Sequence, residues 1–186
     1  MGITETWVRI ALDYNVCMHN KNLWSPWRYE YLRNLEQNKE ALGEVSCDEP
    51  NFIAEYWGQP DLDQQNFVVY RNECGIIFLN RYPYANGHLL AALGKPQPTL
   101  LSYPSQERKD LWELVETATS LMHDKLNPQG VNIGINEGQA GGAGVPQHLH
   151  VHIVPRWTGD TNFMATIGEV RVIPSSLEEM WSLYKK

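Results

Sequence analysis

The chain is poor in cysteine, has no excess of positive charge and contains no long apolar run. Cys17, Cys47 and Cys74 are odd in number and widely spaced, so no disulfide framework is readable and a reducing cytoplasm is the expected setting. No stretch approaches the roughly 18 apolar residues of a membrane span, and the opening residues lack the basic start and apolar core of a signal peptide. No membrane partner is therefore expected. Fifteen Lys+Arg against 22 Asp+Glu leave a net charge of −7, which argues against a long basic face gripping nucleic acid. That balance leaves room for a small phosphate site built from backbone N–H groups and histidines. With 186 residues, 42% hydrophobic and 20% charged, the chain has the composition of one ordinary globular domain.

Residues 1–22 read as an N-terminal extension, mobile or loosely packed, and residues 23–186 as a single domain with its core at 66–173. Leu23–Leu32 is aromatic-rich and reads as a Pro-led helix start. Residues 36–65 are polar and turn-rich, and read as a loop. Strand-like runs follow at Asn66–Arg71 and Cys74–Asn80, a hairpin candidate, and at Gly87–Leu93. Apolar residues from Leu111 to Leu126 recur at three- and four-residue steps, predicting a long amphipathic helix with Ser105 as its N-cap. Val131–Asn136 and His148–Val154 read as the fourth and fifth strands. Ser175 and Glu178 have the spacing of a capping box before a short C-terminal helix. Antiparallel strands with one long helix between the third and fourth predict an α+β fold, a five-stranded antiparallel sheet carrying one long and one short helix.

The chemistry concentrates in Gln147-His148-Leu149-His150-Val151-His152-Ile153-Val154. Strand side chains alternate faces, so His148, His150 and His152 share one face while Leu149, Val151 and Ile153 enter the core. Three readings are open for that face. It could be a solvated polar surface. It could bind Zn²⁺, although three alternate positions span about 13 Å and one ion joins two of them more readily than three. It could perform nucleophilic phosphorus chemistry, because a neutral imidazole is available near pH 7 without a separate strong base.

The pattern His-φ-His-φ-His-φ-φ, with φ apolar, resembles the signature of the histidine triad family of nucleotide hydrolases and transferases. Leu79–Leu90 resembles that family's nucleoside-binding strand, loop and strand, and Asn136–Gly144 its phosphate loop. Pro155–Met164 resembles the tail of a branch holding fragile-histidine-triad-like proteins and diadenosine tetraphosphate phosphorylases. The resemblance implies His150 as the nucleophile on an α-phosphorus, His152 as a donor to that phosphate, and the backbone carbonyl of His148 as the group holding the nucleophile's tautomer. It further implies His88 as a histidine behind the site, Asn80 at the ribose, and Asn136 with Gly142, Ala143 and Gly144 at the phosphates. Trp157 would stack on a base or fill the core. Asn80 also suits a turn before Arg81-Tyr82-Pro83, and the glycines also suit a flexible loop.

By the same resemblance, the substrate is a dinucleoside polyphosphate such as diadenosine tetraphosphate, cleaved by a hydrolase or phosphorylase through a nucleotidyl-His150 intermediate. A nucleotide-sensing module with faded chemistry, or a nucleotidyltransferase on another substrate, is the alternative. A homodimer is expected. No cofactor is expected beyond a divalent metal accompanying the polyphosphate, and no resident metal, since Cys47 lacks the nearby second cysteine that zinc-binding relatives carry. Two positions depart from the family pattern. Gly144 and Val145 stand where many members have Gln and a hydroxyl residue assisting the leaving group.

Overall fold

A computed structural model describes residues 51–160 and 173–186. The Leu23–Leu32 helix start, Cys17, Cys47 and the tail beyond Asp160, with Phe163 and Met164, lie outside the described residues.

Five strands form one antiparallel sheet: β1 (Val68–Arg71), β2 (Gly75–Leu79), β3 (Leu89–Leu93), β4 (Gly130–Ile135) and β5 (Val151–Arg156). Their order is β1-β2-β3-β5-β4, so the last strand inserts between the third and fourth. Two longer helices join them, α2 (Ser105–Leu126) and α3 (Leu177–Lys185). The α+β architecture and all five expected strands are therefore present, each within a few residues of its predicted bounds.

β2 and β3 are buried along their whole length, because both faces of the sheet are covered. Leu89, Ala91 and Leu93 of β3 join Val151 and Ile153 of β5 in a cluster with Leu111, Leu114, Val115, Ala118 and Met122 of α2. Leu90 and Ala92 point the other way, into a cluster with Ile76, Phe78, Val145, Ile53 and Tyr56. His152 pairs with Leu90 across the β3–β5 ladder, so the histidine face of β5 shares this second side. Pro155 is tolerated in β5 because the ladder to β3 ends at Ile153, where Pro155's missing N–H is no longer required.

The second cluster corrects the loop expected over residues 36–65. Helix α1 (Phe52–Gly58) lies within that segment and packs Ile53 and Tyr56 onto the sheet. Asn51 caps it by accepting the Ala54 N–H, and Arg71 donates to the carbonyls of Tyr56 and Trp57 at its other end. Seven residues are too few for a sustained helical period, which is why composition dominated the reading. Two caps also differ. Pro104, not Ser105, occupies the N-cap of α2, and it makes no side-chain cap. The capping box of α3 is one residue later than expected, between Ser176 and Glu179, while Ser175 Oγ accepts from Asn86.

Gly75 opens β2 against the partner backbone. A Cβ there would lie 2.2 Å from the Ala92 carbonyl oxygen and 2.9 Å from Leu93 Cα. Neither atom can move without breaking the ladder. Gly75→Ala is expected to lower stability by about 3 kcal/mol, the upper range of overpacking costs, measured by urea unfolding. Gly144→Ala, which meets nothing within 4 Å, is the matched control and is expected to change stability little.

Candidate active site

The triad histidines belong to the segment entering β5. His150 is 5% exposed and His152 9%, while His148 and His88 are fully buried. An imidazole taken out of water loses free energy unless its N–H meets an acceptor, and the hydrogen-bond partners here identify the tautomers of His150, His88 and His152. The solvated-surface reading of the histidine face is excluded by this burial.

His150 Nδ1 lies 2.9 Å from the His148 carbonyl oxygen. A carbonyl only accepts, so the hydrogen is on Nδ1 and Nε2 carries a free lone pair. His88 Nδ1 receives the backbone N–H of Tyr84 at 3.0 Å and the Asn80 amide at 3.3 Å. Its hydrogen is therefore on Nε2, which donates to His152 Nδ1 at 3.0 Å. His152 then carries its own hydrogen on Nε2, a buried atom with no hydrogen-bond partner among the described residues. A lone pair and a donor hydrogen thus sit on neighbouring rings whose centroids are 5.1 Å apart. Burial holds the His150 pKa below the ordinary imidazole value against the raising effect of the His148 carbonyl. Burial, and then the charge of His150, pushes His152 down to about 4. Both rings are neutral at pH 7, one with a lone pair able to attack an electrophile and the other with a hydrogen able to be donated.

His148 does something else. Its Nε2 lies 2.8 Å from the Leu93 carbonyl oxygen and its Nδ1 3.0 Å from Oδ1 of Asn51, the residue that caps α1, so both nitrogens face acceptor oxygens and the neutral ring donates to one of them. This ring struts β3 and α1 against the nucleophile's loop, and neither nitrogen is left for a metal. Among the described residues, no group of three or more His, Cys, Asp or Glu is arranged to hold a metal ion.

The remaining expected residues divide. Asn80 Oδ1 accepts the Tyr82 N–H, the turn its sequence suggested, while its amide supports His88. Asn136 donates to the Gly142 carbonyl and staples the 138–144 loop. Gly138 and Gly142 have φ of +70° and +85°, a conformation that favours glycine. The N–H groups of Gly141, Gly142 and Ala143 close turns within this loop. Gly144 is exposed, with open space around it. Val145 is 6% exposed and packs in the α1 cluster, so the position lacking a hydroxyl is here a core residue. Trp157 is half-buried, stands outside both apolar clusters and donates its backbone N–H to Asp160. Tyr84 and Asn51 were missed; loop exposure concealed one, and the short helix concealed the other.

Residues 61–159 match the HIT domain family. The chain belongs to that family. AP-4-A phosphorylase of Mycobacterium tuberculosis is 32% identical over 160 residues, which cover 86% of this chain and 80% of that protein. Bis(5'-adenosyl)-triphosphatase of Dictyostelium discoideum is 29% identical over 101 residues, 54% of this chain and 66% of that protein. Among solved structures, a Zn-bound histidine triad family protein from Mycobacterium smegmatis aligns with a TM-score of 0.57 at 25% identity, covering 77% of this chain and 93% of that one.

Burial of the HIT domain's neutral histidines has a cost in acid. Unfolded, His152 takes a proton near pH 6.5; folded, it refuses one until about 4. Between those values the unfolded state binds more protons, so stability falls as pH drops through that window. Thermal unfolding at half-unit pH steps is expected to show this decline and to show a shallower slope for His152→Gln. Parallel slopes would mean that His152 does not set the acid limit.

Proposed function

We infer that this chain is a HIT-family enzyme that cleaves dinucleoside polyphosphates through a nucleotidyl-His150 intermediate. The observation that carries this reading is the pairing of a lone pair on His150 Nε2 with a His152 N–H that meets no acceptor among the described residues. His150 Nε2 attacks the α-phosphorus, and the bond from that phosphorus to the departing polyphosphate oxygen breaks. The His152 N–H meets a non-bridging oxygen as charge accumulates there. A second acceptor then attacks the same phosphorus and frees His150. The similarity to an AP-4-A phosphorylase over most of both chains supports inorganic phosphate as that acceptor and diadenosine tetraphosphate as substrate. Open space at Gly144 and the buried, hydroxyl-free Val145 support it too.

The same proposal takes the working unit as a two-fold dimer without a resident metal, a divalent cation travelling with the polyphosphate. An open β4 edge among the described strands, with Ile133 45% exposed, supports the dimer. The engagement of both His148 nitrogens supports the absence of metal. No described helix is long and apolar enough to cross a membrane. Cys74 is a free thiol, which suits the cytoplasm, and the net charge of −7 suits a partner other than nucleic acid.

His150→Ala is expected to lower turnover by at least about a thousandfold while nucleotide binding survives. Residual activity near wild type would sink the covalent route, and nucleotide affinity without turnover in the wild type would indicate a sensor. Incubation with ¹⁸O-labelled phosphate separates the acceptors. Phosphorolysis gives ATP and labelled ADP. AMP without label, formed at a rate indifferent to phosphate, would identify a hydrolase.

A further inference from the structure

Tyr84 lies in the loop between β2 and β3 and is 47% exposed, yet the covered part of its ring is held against histidines. Its ring is stacked on His152 with centroids 5.4 Å apart and an interplanar angle of 7°. The His88 ring is 4.7 Å away. Its backbone N–H is also the donor that fixes the His88 tautomer. One residue therefore touches both members of the relay that leaves a hydrogen on His152 Nε2.

The His88 bond restrains rotation of the His152 ring about its own axis but does little against tilting out of plane. A flat ring stacked in parallel resists tilt, and His150 stands at 52° beside the same imidazole, which is 9% exposed. An aliphatic side chain could supply bulk but no parallel face. We propose that Tyr84 is a positioning residue, whose ring fixes the plane of the His152 donor and whose backbone N–H sets that donor's tautomer through His88. This rests on the reading of His150 and His152 as the phosphorus-transfer pair. A donor must meet a developing charge within a narrow geometry, so tilt reduces transition-state stabilisation more than it reduces binding.

The test compares wild type, Tyr84→Ala, Tyr84→Leu and Tyr84→Phe. Steady-state kinetics on diadenosine tetraphosphate with phosphate present give kcat and KM. An imidazole NMR titration without substrate, with His152 assigned through His152→Gln, reads the ring's environment. Tyr84→Ala and Tyr84→Leu are expected to lose roughly tenfold to a hundredfold in kcat, with KM changing by less than about threefold. The His152 midpoint, surrounded by His88, His150 and Tyr84, should rise from about 4 toward the ordinary imidazole value as burial is lost. Tyr84→Phe should restore both. A leucine variant with wild-type kcat would overturn the proposal, as would an unmoved His152 midpoint in the alanine variant. So would a loss confined to KM. If wild type turns over no dinucleoside polyphosphate, the functional reading fails, and the NMR midpoints still decide whether Tyr84 sets the His152 environment.

Discussion

An imidazole withdrawn from water is stabilised by giving its N–H to a fixed acceptor, and the site depends on three of four buried rings doing so while His152 does not among the described residues. The His148 carbonyl takes the hydrogen of His150, His152 Nδ1 takes that of His88, and the His148 ring gives its own to one of two facing oxygens, Leu93 O or Asn51 Oδ1. In water the two tautomers of a histidine interchange, and a strand of three would present a mixture. Here the acceptors select one form of each reacting ring. A lone pair is left on His150 and an N–H on His152. Leaving that N–H without a partner costs about 1–3 kcal/mol, a penalty that an arriving phosphate oxygen would relieve.

The sheet exists in a form that makes this arrangement possible. Inserting β5 beside β3 brings His152 against His88, 64 residues apart in the chain. The 22-residue α2 covers one face of the two strands and holds their alternate apolar side chains, so the opposite face receives the histidines. Helix α1 closes that second face. Through Asn51 it also reaches His148, so a short surface helix and the nucleophile's support are joined by one amide.

The loops around the site divide their tasks. The 80–88 loop carries Asn80 and Tyr84, which converge on His88 Nδ1 and hold the donor relay. The 138–144 loop spends its central N–H groups on its own turns, with glycines accepting the positive φ this requires. Its contribution is therefore shape and open space more than a cradle of free amides.

Much of this was legible from local pattern. Alternation in Leu149–Ile153 placed the histidines on one face, and the steps from Leu111 to Leu126 located the long helix, because burial acts on residues at the period of their own element. The order of chemistry-bearing residues along the chain also resembled a known family, which located Asn80, His88 and the triad together. What pattern could not supply was partnership between distant atoms. Helix α1 is too short to show a period, and Val145 is in the core through contacts made across the sheet. The tautomers were equally hidden. Sequence determined which residues could exchange protons; the tertiary structure decided which nitrogen of His150, His88 and His152 carries one, since that depends on a carbonyl set by the local backbone at His148 and an imidazole brought within 3.0 Å by strand order.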